Sequence, residues 1–269
     1  MIRRRHVLPS VGRAEISPEV AKLSRRRLLR NGLSLGSLAL LTGCDLSTHS
    51  GIDAALWAML RFNDRVQSVL YNPQRLAETY PASAITRPFR FNAYYPIWET
   101  RMVPENWRLA VTGLVADKSP WTVDRLRSLP QQAQITRHIC IEGWSQIGQW
   151  NGVPLHLFLR RVGADLRARY VAFTCFDGYS TSIDMASALH PQTILALDFE
   201  QQPLTPEWGA PVRLRIPVKL GFKSAKNLES IAVTNTYPGG FWENQGYDWF
   251  SGVETAERGS RPRHCPGIR

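Results

Sequence analysis

Residues 137–150 read "RHICIEGWSQIGQW". An alternating run that begins near Gln134 closes on Cys140, and Glu142, Gly143 and two tryptophans, Trp144 and Trp150, follow it. Alternation of this kind is the period of a half-buried strand, so a strand is expected over 134–143 with a single thiol near its end. Taken alone, Cys140 reads equally as a core residue, half of a disulfide, a nucleophile or a metal ligand.

Outward from that stretch, further strands are expected at 107–115, 169–178, 211–218 and 228–237, which alternate and are rich in β-branched and aromatic residues. Gly113, Gly178 and Pro238-Gly239-Gly240 punctuate them. A helix is expected over 51–70, where Leu56, Met59, Leu60, Val66, Val69 and Leu70 recur at helical spacing before Asn72-Pro73. A second helix runs from Pro154, which opens it, toward Gly163, which closes it; His156 on it reads as a packing histidine. Strands and short helices mix without a regular βαβ rhythm, so the class is α+β. The 10 Phe, 9 Trp and 8 Tyr among 269 residues suffice for a sizeable core.

A formal charge of +11 suggests nucleic acid or an anionic surface, but its distribution argues otherwise. Most of it sits in residues 1–43, where Arg3, Arg4, Arg5, Arg13, Lys22, Arg25, Arg26, Arg27 and Arg30 face only Glu15 and Glu19. The rest of the chain is mildly basic, a poor footprint for nucleic acid. "SRRRLLR" (24–30) precedes the apolar "NGLSLGSLALLTG" (31–43), which is shorter than the roughly 20 residues a membrane span needs. This order is that of an export signal and resembles a twin-arginine signal, whose passengers cross already folded, commonly with a cofactor in place. "LTGC" (41–44) resembles a lipobox, with Cys44 as the residue to be lipidated and Asp45 as an inner-membrane retention signal. The expected organisation is a signal segment at 1–43, a helical linker at 44–80, a catalytic domain at 81–255 and a flexible tail at 256–269.

Several chemistries are excluded by motif. The chain has no Cys-x-x-Cys pair, no His-Glu-x-x-His, no Gly-x-Ser-x-Gly and no phosphate-binding P-loop. Cys140, Cys175 and Cys265 remain, and in an oxidising compartment a Cys140–Cys175 disulfide is a serious reading. "PVRLRIPVKLGFKSAK" (211–226) places Val212, Leu214 and Ile216 on one side of a strand and Arg213 and Arg215 on the other. Lys219, Lys223 and Lys226 follow. Such a set suits a phosphate, or else forms a solvated positive face.

Two blocks, "RHICIEGWSQIGQWNGVPL" (137–155) and "GAPVRLRIPVKLGFKSAKNLESI" (209–231), with "DGYSTSIDM" (177–185) between them, resemble the sulfite oxidase superfamily of molybdopterin-binding oxidoreductases. The similarity is greatest to the catalytic subunit of the periplasmic methionine sulfoxide reductases. It implies a mixed β-sheet molybdopterin-binding domain and a molybdenum-molybdopterin cofactor, with Cys140 as the metal ligand. It further implies pterin contacts from Asn92, Tyr94 and Tyr95 in "FNAYYP" (91–96), and cofactor binding by Arg213, Ser224, Ala225 and Lys226, with Lys223 a weaker neighbour. His138 is expected to favour the thiolate as a nearby cation. Cys175 stands where the reductase has threonine, and is expected as a free thiol lining the pocket. Glu142 departs from the arginine-containing stretch of vertebrate-type sulfite oxidases, and the chain after the second block is too short for their dimerisation domain. Sulfoxide reduction is therefore expected, with electrons from a membrane haem-b protein; sulfite oxidation and a non-catalytic lipoprotein scaffold are the alternatives. The aromatic run "YPGGFWENQGYDWFSG" (237–252) reads as loop closure or as a docking rim.

Overall fold

The computed structural model describes residues 50–253, so the twin-arginine segment, Cys44 and the tail at 256–269 lie outside the described residues. The chain divides into two compact units, Met1–Leu56 and Trp57–Arg269. Of the first, only the opening turns of helix α1 (Ser50–Leu70) are described; the second carries two sheets.

One sheet has four strands in the order β1 (Ala110–Gly113), β9 (Leu228–Thr234), β4 (Tyr170–Cys175) and β5 (Ser180–Asp184). Its β1–β9 pair is parallel and the others are antiparallel. The other sheet has five, in the order β2 (Gln132–Ile139), β3 (Ser145–Pro154), β6 (Ile194–Phe199) and β7 (Gln202–Pro203), with β8 (Arg213–Arg215) also on β6. The short helices are α2 (Val123–Arg127), α3 (Leu155–Arg161) and α4 (Met185–Ala188). The class is α+β, as the irregular mixing of elements implies.

The main core draws Val171 and Phe173 from β4, Ile231 and Val233 from β9, and Leu195 and Leu197 from β6. The intervening β6 residues, Ile194 and Ala196, enter a second cluster with Trp150, Phe199 and Leu204. β6 is thus buried on both faces. Its first four residues, "ILAL" (194–197), are accordingly an unbroken apolar run, which alternation cannot find. β3 escapes the same search because it carries Gly148 and Gly152. A Cβ on Gly152 would stand 2.0 Å from the Leu195 carbonyl oxygen, so glycine is required where β3 meets β6.

α3 forms where expected. Pro154 precedes it, Leu155, Phe158 and Leu159 are buried, and Gly163 closes it at φ +64°. Between β2 and β3 the chain turns tightly over Cys140–Trp144: the Cys140 N–H donates to the Trp144 carbonyl (2.9 Å) and Gly143 sits at φ +89°. Cys140 therefore occupies a hairpin turn rather than a strand. In the aromatic run at 237–252, Trp249 and Phe250 pack with Tyr170 in a cluster of their own, while Trp242 reaches the cleft described next.

Candidate active site

Cys140 opens onto a cleft of about 810 Å³, a figure that includes its solvent-filled mouth. Eight of the expected site residues line it together: Asn92, Tyr94 and Tyr95 from the segment before β1, Cys140 from the β2–β3 turn, and Arg213, Ser224, Ala225 and Lys226. The last four meet because the chain after β8 folds back on itself. The Leu214 N–H donates to the Ala225 carbonyl (2.8 Å), and Arg213 Nη2 donates to the Ser224 carbonyl (3.2 Å).

Among the described residues the thiol has one side-chain partner. Asn92 Nδ2 donates to Cys140 Sγ at 3.2 Å. His138, expected to help as a cation, does the opposite: it is buried, and burial followed by the charges of Arg215, Arg213 and Lys226 holds its ring well below the usual histidine value. It is neutral, and Gly221 leaves it room, since a Cβ there would lie 2.3 Å from His138 Nε2.

The expectation of a solvated arginine face is also corrected. Arg213 and Arg215 are as buried as the valine and leucine between and beside them: β8, paired with β6 alone, is buried at all three of its residues. Burial lowers Arg213 to about 10, and burial with the neighbouring Arg213 charge lowers Arg215 to about 9. Arg213 Nη1 donates to the Trp208 carbonyl (3.0 Å), and Lys226 Nζ donates to the Glu207 carbonyl (2.9 Å). Among the described residues neither arginine nor Lys226 has a carboxylate at ion-pair distance. Arg213 Nε and Arg215 Nε and Nη1 are buried with no acceptor. Arg215 stands outside the cleft lining and donates to the Thr136 hydroxyl and the Arg137 carbonyl. A buried guanidinium with a free donor and no counter-charge is costly unless an anion meets it, so Arg213, with Lys226 beside it in the lining, fits the phosphate of a pterin cofactor.

Lys223 does not belong to that set. It is fully buried away from the cleft in an ion pair with Glu243, and it also donates to the Ser182 carbonyl (3.0 Å). Cys175 is likewise outside the cleft lining. It sits in the main core, its thiol pushed well up by burial, and it and Cys140 are both free. The two belong to different sheets, which removes the disulfide reading.

Asp177 is the lining residue that motif reading passed over. It is buried, accepts from the Tyr179 N–H (3.0 Å) and from the Tyr95 hydroxyl (3.2 Å), and burial raises its carboxyl above the ordinary value. Tyr94 donates to its carbonyl at 2.6 Å. "DG" at 177–178 signals only a turn in sequence, and the hydroxyls that converge on it come from over eighty residues earlier. Aromatic walls complete the cleft: Tyr94 stacks on Tyr179, and Lys226 Nζ lies 4.2 Å from the Phe91 ring centroid. At the mouth Glu142 accepts from Trp144 Nε1 (2.7 Å), and Arg90 lies over the Trp144 ring at 4.8 Å.

A family model described as "Oxidoreductase molybdopterin binding domain" matches residues 95–242, a span that takes in Tyr95, Cys140, Asp177, Arg213 and the Ser224–Lys226 segment. A chain of Azospira oryzae named "Putative protein-methionine-sulfoxide reductase subunit YedZ1" is 55% identical over 230 residues, covering 85% of this chain and 88% of that one. The protein-methionine-sulfoxide reductase catalytic subunit MsrP of Burkholderia mallei is 27% identical over 273 residues, covering 90% of this chain and 80% of that one. Its counterpart from Xanthomonas campestris pv. campestris is 32% identical over 169 residues, covering 56% and 52%.

Proposed function

The chain belongs to the family of oxidoreductase molybdopterin-binding domains, and from that premise we propose that it reduces a sulfoxide, of the methionine sulfoxide type, to the thioether. The observation that carries the reading is the cleft itself: one thiol in its lining, two basic side chains without carboxylate partners in its wall, and at its rim Glu142 paired with Arg90 at 3.8 Å. The relatives whose names specify protein methionine sulfoxide support this substrate class.

The Cys140 thiolate would hold molybdenum, a soft ligand for that metal, while Arg213, the Ser224–Ala225 segment and Lys226 would hold the phosphate. The cofactor, when bound, supplies two-electron oxygen-atom transfer. Asn92 fixes the thiolate by its N–H···S bond, which limits the directions its lone pairs can take. Tyr94, Tyr95, Trp208 and Trp242 keep bulk water from the floor of the cleft. Reduction of a sulfoxide to a thioether and water takes up electrons and protons in equal number. Burial raises the Asp177 carboxyl above the ordinary value and the Tyr95 hydroxyl donates to it, and in this reading the pair supplies protons to the cleft.

The electron donor is a membrane haem-b protein in this reading, since no haem or cluster motif accompanies the domain in sequence. The twin-arginine pattern at 24–30 supports a periplasmic location in this reading, and the lipobox-like "LTGC" supports an acyl anchor on Cys44.

Elemental analysis of the wild type and of Cys140→Ser, each made in cells that synthesise molybdopterin, tests the reading. Near-stoichiometric molybdenum in the wild type, loss of its thiolate-to-metal absorption in the variant, and oxidation of a reduced viologen dye by methionine sulfoxide are expected. Reduction of an acceptor by sulfite with no sulfoxide turnover would assign the opposite reaction.

A further inference from the structure

The amphipathic pattern of α1 is turned away from the protein. From Trp57 onward its inner side carries Leu60, Asp64 and Gln67. Asp64 accepts from the Phe250 N–H (2.9 Å), and Gln67 Nε2 donates to Asp248 (2.9 Å). The polar side thus ties the helix down. Met59, Phe62, Val66, Val69 and Leu70 face outward instead, Phe62 65% and Val69 83% exposed. Their spacings of three, four and seven residues place them on one stripe. Arg61 and Arg65 are exposed along one flank of it, and the one carboxylate of this stretch, Asp64, is turned inward.

A helix that keeps its apolar stripe in water while bonding its polar side to the body is built for an external apolar phase. Among the described residues no helix is long and apolar enough to cross a membrane. Apolar residues on one face with arginines at the edge are the composition of a helix that lies in the bilayer interface. The cations on the flank suit anionic phospholipid headgroups. In sequence the helix follows shortly after the apolar stretch at 31–43 and Cys44, so whatever holds that segment at a bilayer delivers α1 to the same surface.

We infer that α1 is a lipid-binding face: Met59, Phe62, Val66, Val69 and Leu70 enter the headgroup–acyl boundary of an anionic bilayer, with Arg61 and Arg65 among the phosphates. The inference does not depend on the reaction assigned to the cleft.

Hydrogen exchange of the full cofactor-loaded chain, in a Cys44→Ser background that cannot be acylated, tests it with protein-free vesicles of phosphatidylethanolamine and phosphatidylglycerol. Because the readout is local to residues 58–70, binding through the upstream apolar segment does not mask the result. Exchange there is expected to slow by about tenfold when vesicles are added. The combined Phe62→Ser, Val66→Ser and Val69→Ser variant, which alters outward side chains alone, is expected to lose that slowing while keeping its molybdenum. Arg61→Gln with Arg65→Gln is expected to weaken it on anionic vesicles and not on phosphatidylcholine. Exchange unchanged by vesicles overturns the inference. So does slowing that needs native membranes with their proteins, which would assign the stripe to a membrane protein, or slowing that tracks protein concentration without lipid, which would assign it to a second copy.

Discussion

Asn92 Nδ2 lies 3.2 Å from Cys140 Sγ, a contact that joins positions 48 residues apart. It makes the loop before β1 part of the thiol's surroundings, and it gives the amide a role that outlasts any change of substrate.

Asn92→Ala should leave the fold intact, since one such bond contributes about 1 kcal/mol. Its effect should fall on the site: a shifted thiolate-to-metal absorption band and a turnover lower by about tenfold, as expected when a reacting group loses its orientation. An unshifted band with unchanged turnover would show that the contact orients nothing.

Lys223 and Lys226, three positions apart, should respond in opposite ways. Lys223→Met strands Glu243 as an unpaired buried charge and should cost about 3–5 kcal/mol in urea unfolding. Lys226→Met removes an amine whose charge burial disfavours and which has no carboxylate partner at ion-pair distance, so stability should move by less than about 1 kcal/mol while molybdenum content drops. Equal destabilisation by both would contradict the separation of a structural lysine from a ligand-binding one.

The carboxyl of Asp64 is raised from 3.8 to about 6, by burial first and by the neighbouring Asp248. The folded state therefore holds this proton more tightly than the unfolded chain does. Its contribution to stability is full below about 3.8 and is lost as pH rises through about 6. Asp64→Asn keeps an oxygen for the Phe250 N–H and cannot ionise, so the stability difference between wild type and variant should fall across that window and level off above it. Urea denaturation between pH 3.5 and about 7.5 measures the difference. A difference that rises with pH would mean that folding lowers this carboxyl instead of raising it.

Gly221→Ala should disturb the cleft chiefly through His138, because the added Cβ would stand 2.3 Å from Nε2 and 2.5 Å from Cε1 of that ring, against 3.1 Å from the Ile139 carbonyl oxygen. Cofactor content should fall in the single variant and recover when His138→Ala is added, a coupling expected of side chains in contact. No recovery would place the strain in the backbone of the Gly221–Lys223 turn instead.

The site and the fold were legible in sequence to different degrees. The Arg137–Trp150 and Pro211–Lys226 stretches announce a thiol and a cluster of cations because both are local properties of the chain. The α+β class, α1 and α3 follow from periodicity, which neighbouring residues set for themselves. β3 and β6 could not be read this way: the first depends on Gly148 and Gly152 fitting against side chains and backbone far along the chain, and the second is apolar on both faces.

Charge state was the other quantity the sequence could not supply. Arg213 and Arg215 look like an exposed face until β8 is paired on β6. His138 looks like a cation until it is enclosed with three of them, and Lys223 looks like Lys226 until Glu243 arrives from another loop. Sequence by itself determined which chemical groups this protein owns and how its helices repeat. Tertiary structure decided which of those groups are buried, which are neutral and which are paired, because desolvation and ion pairing depend on neighbours that chain order does not specify.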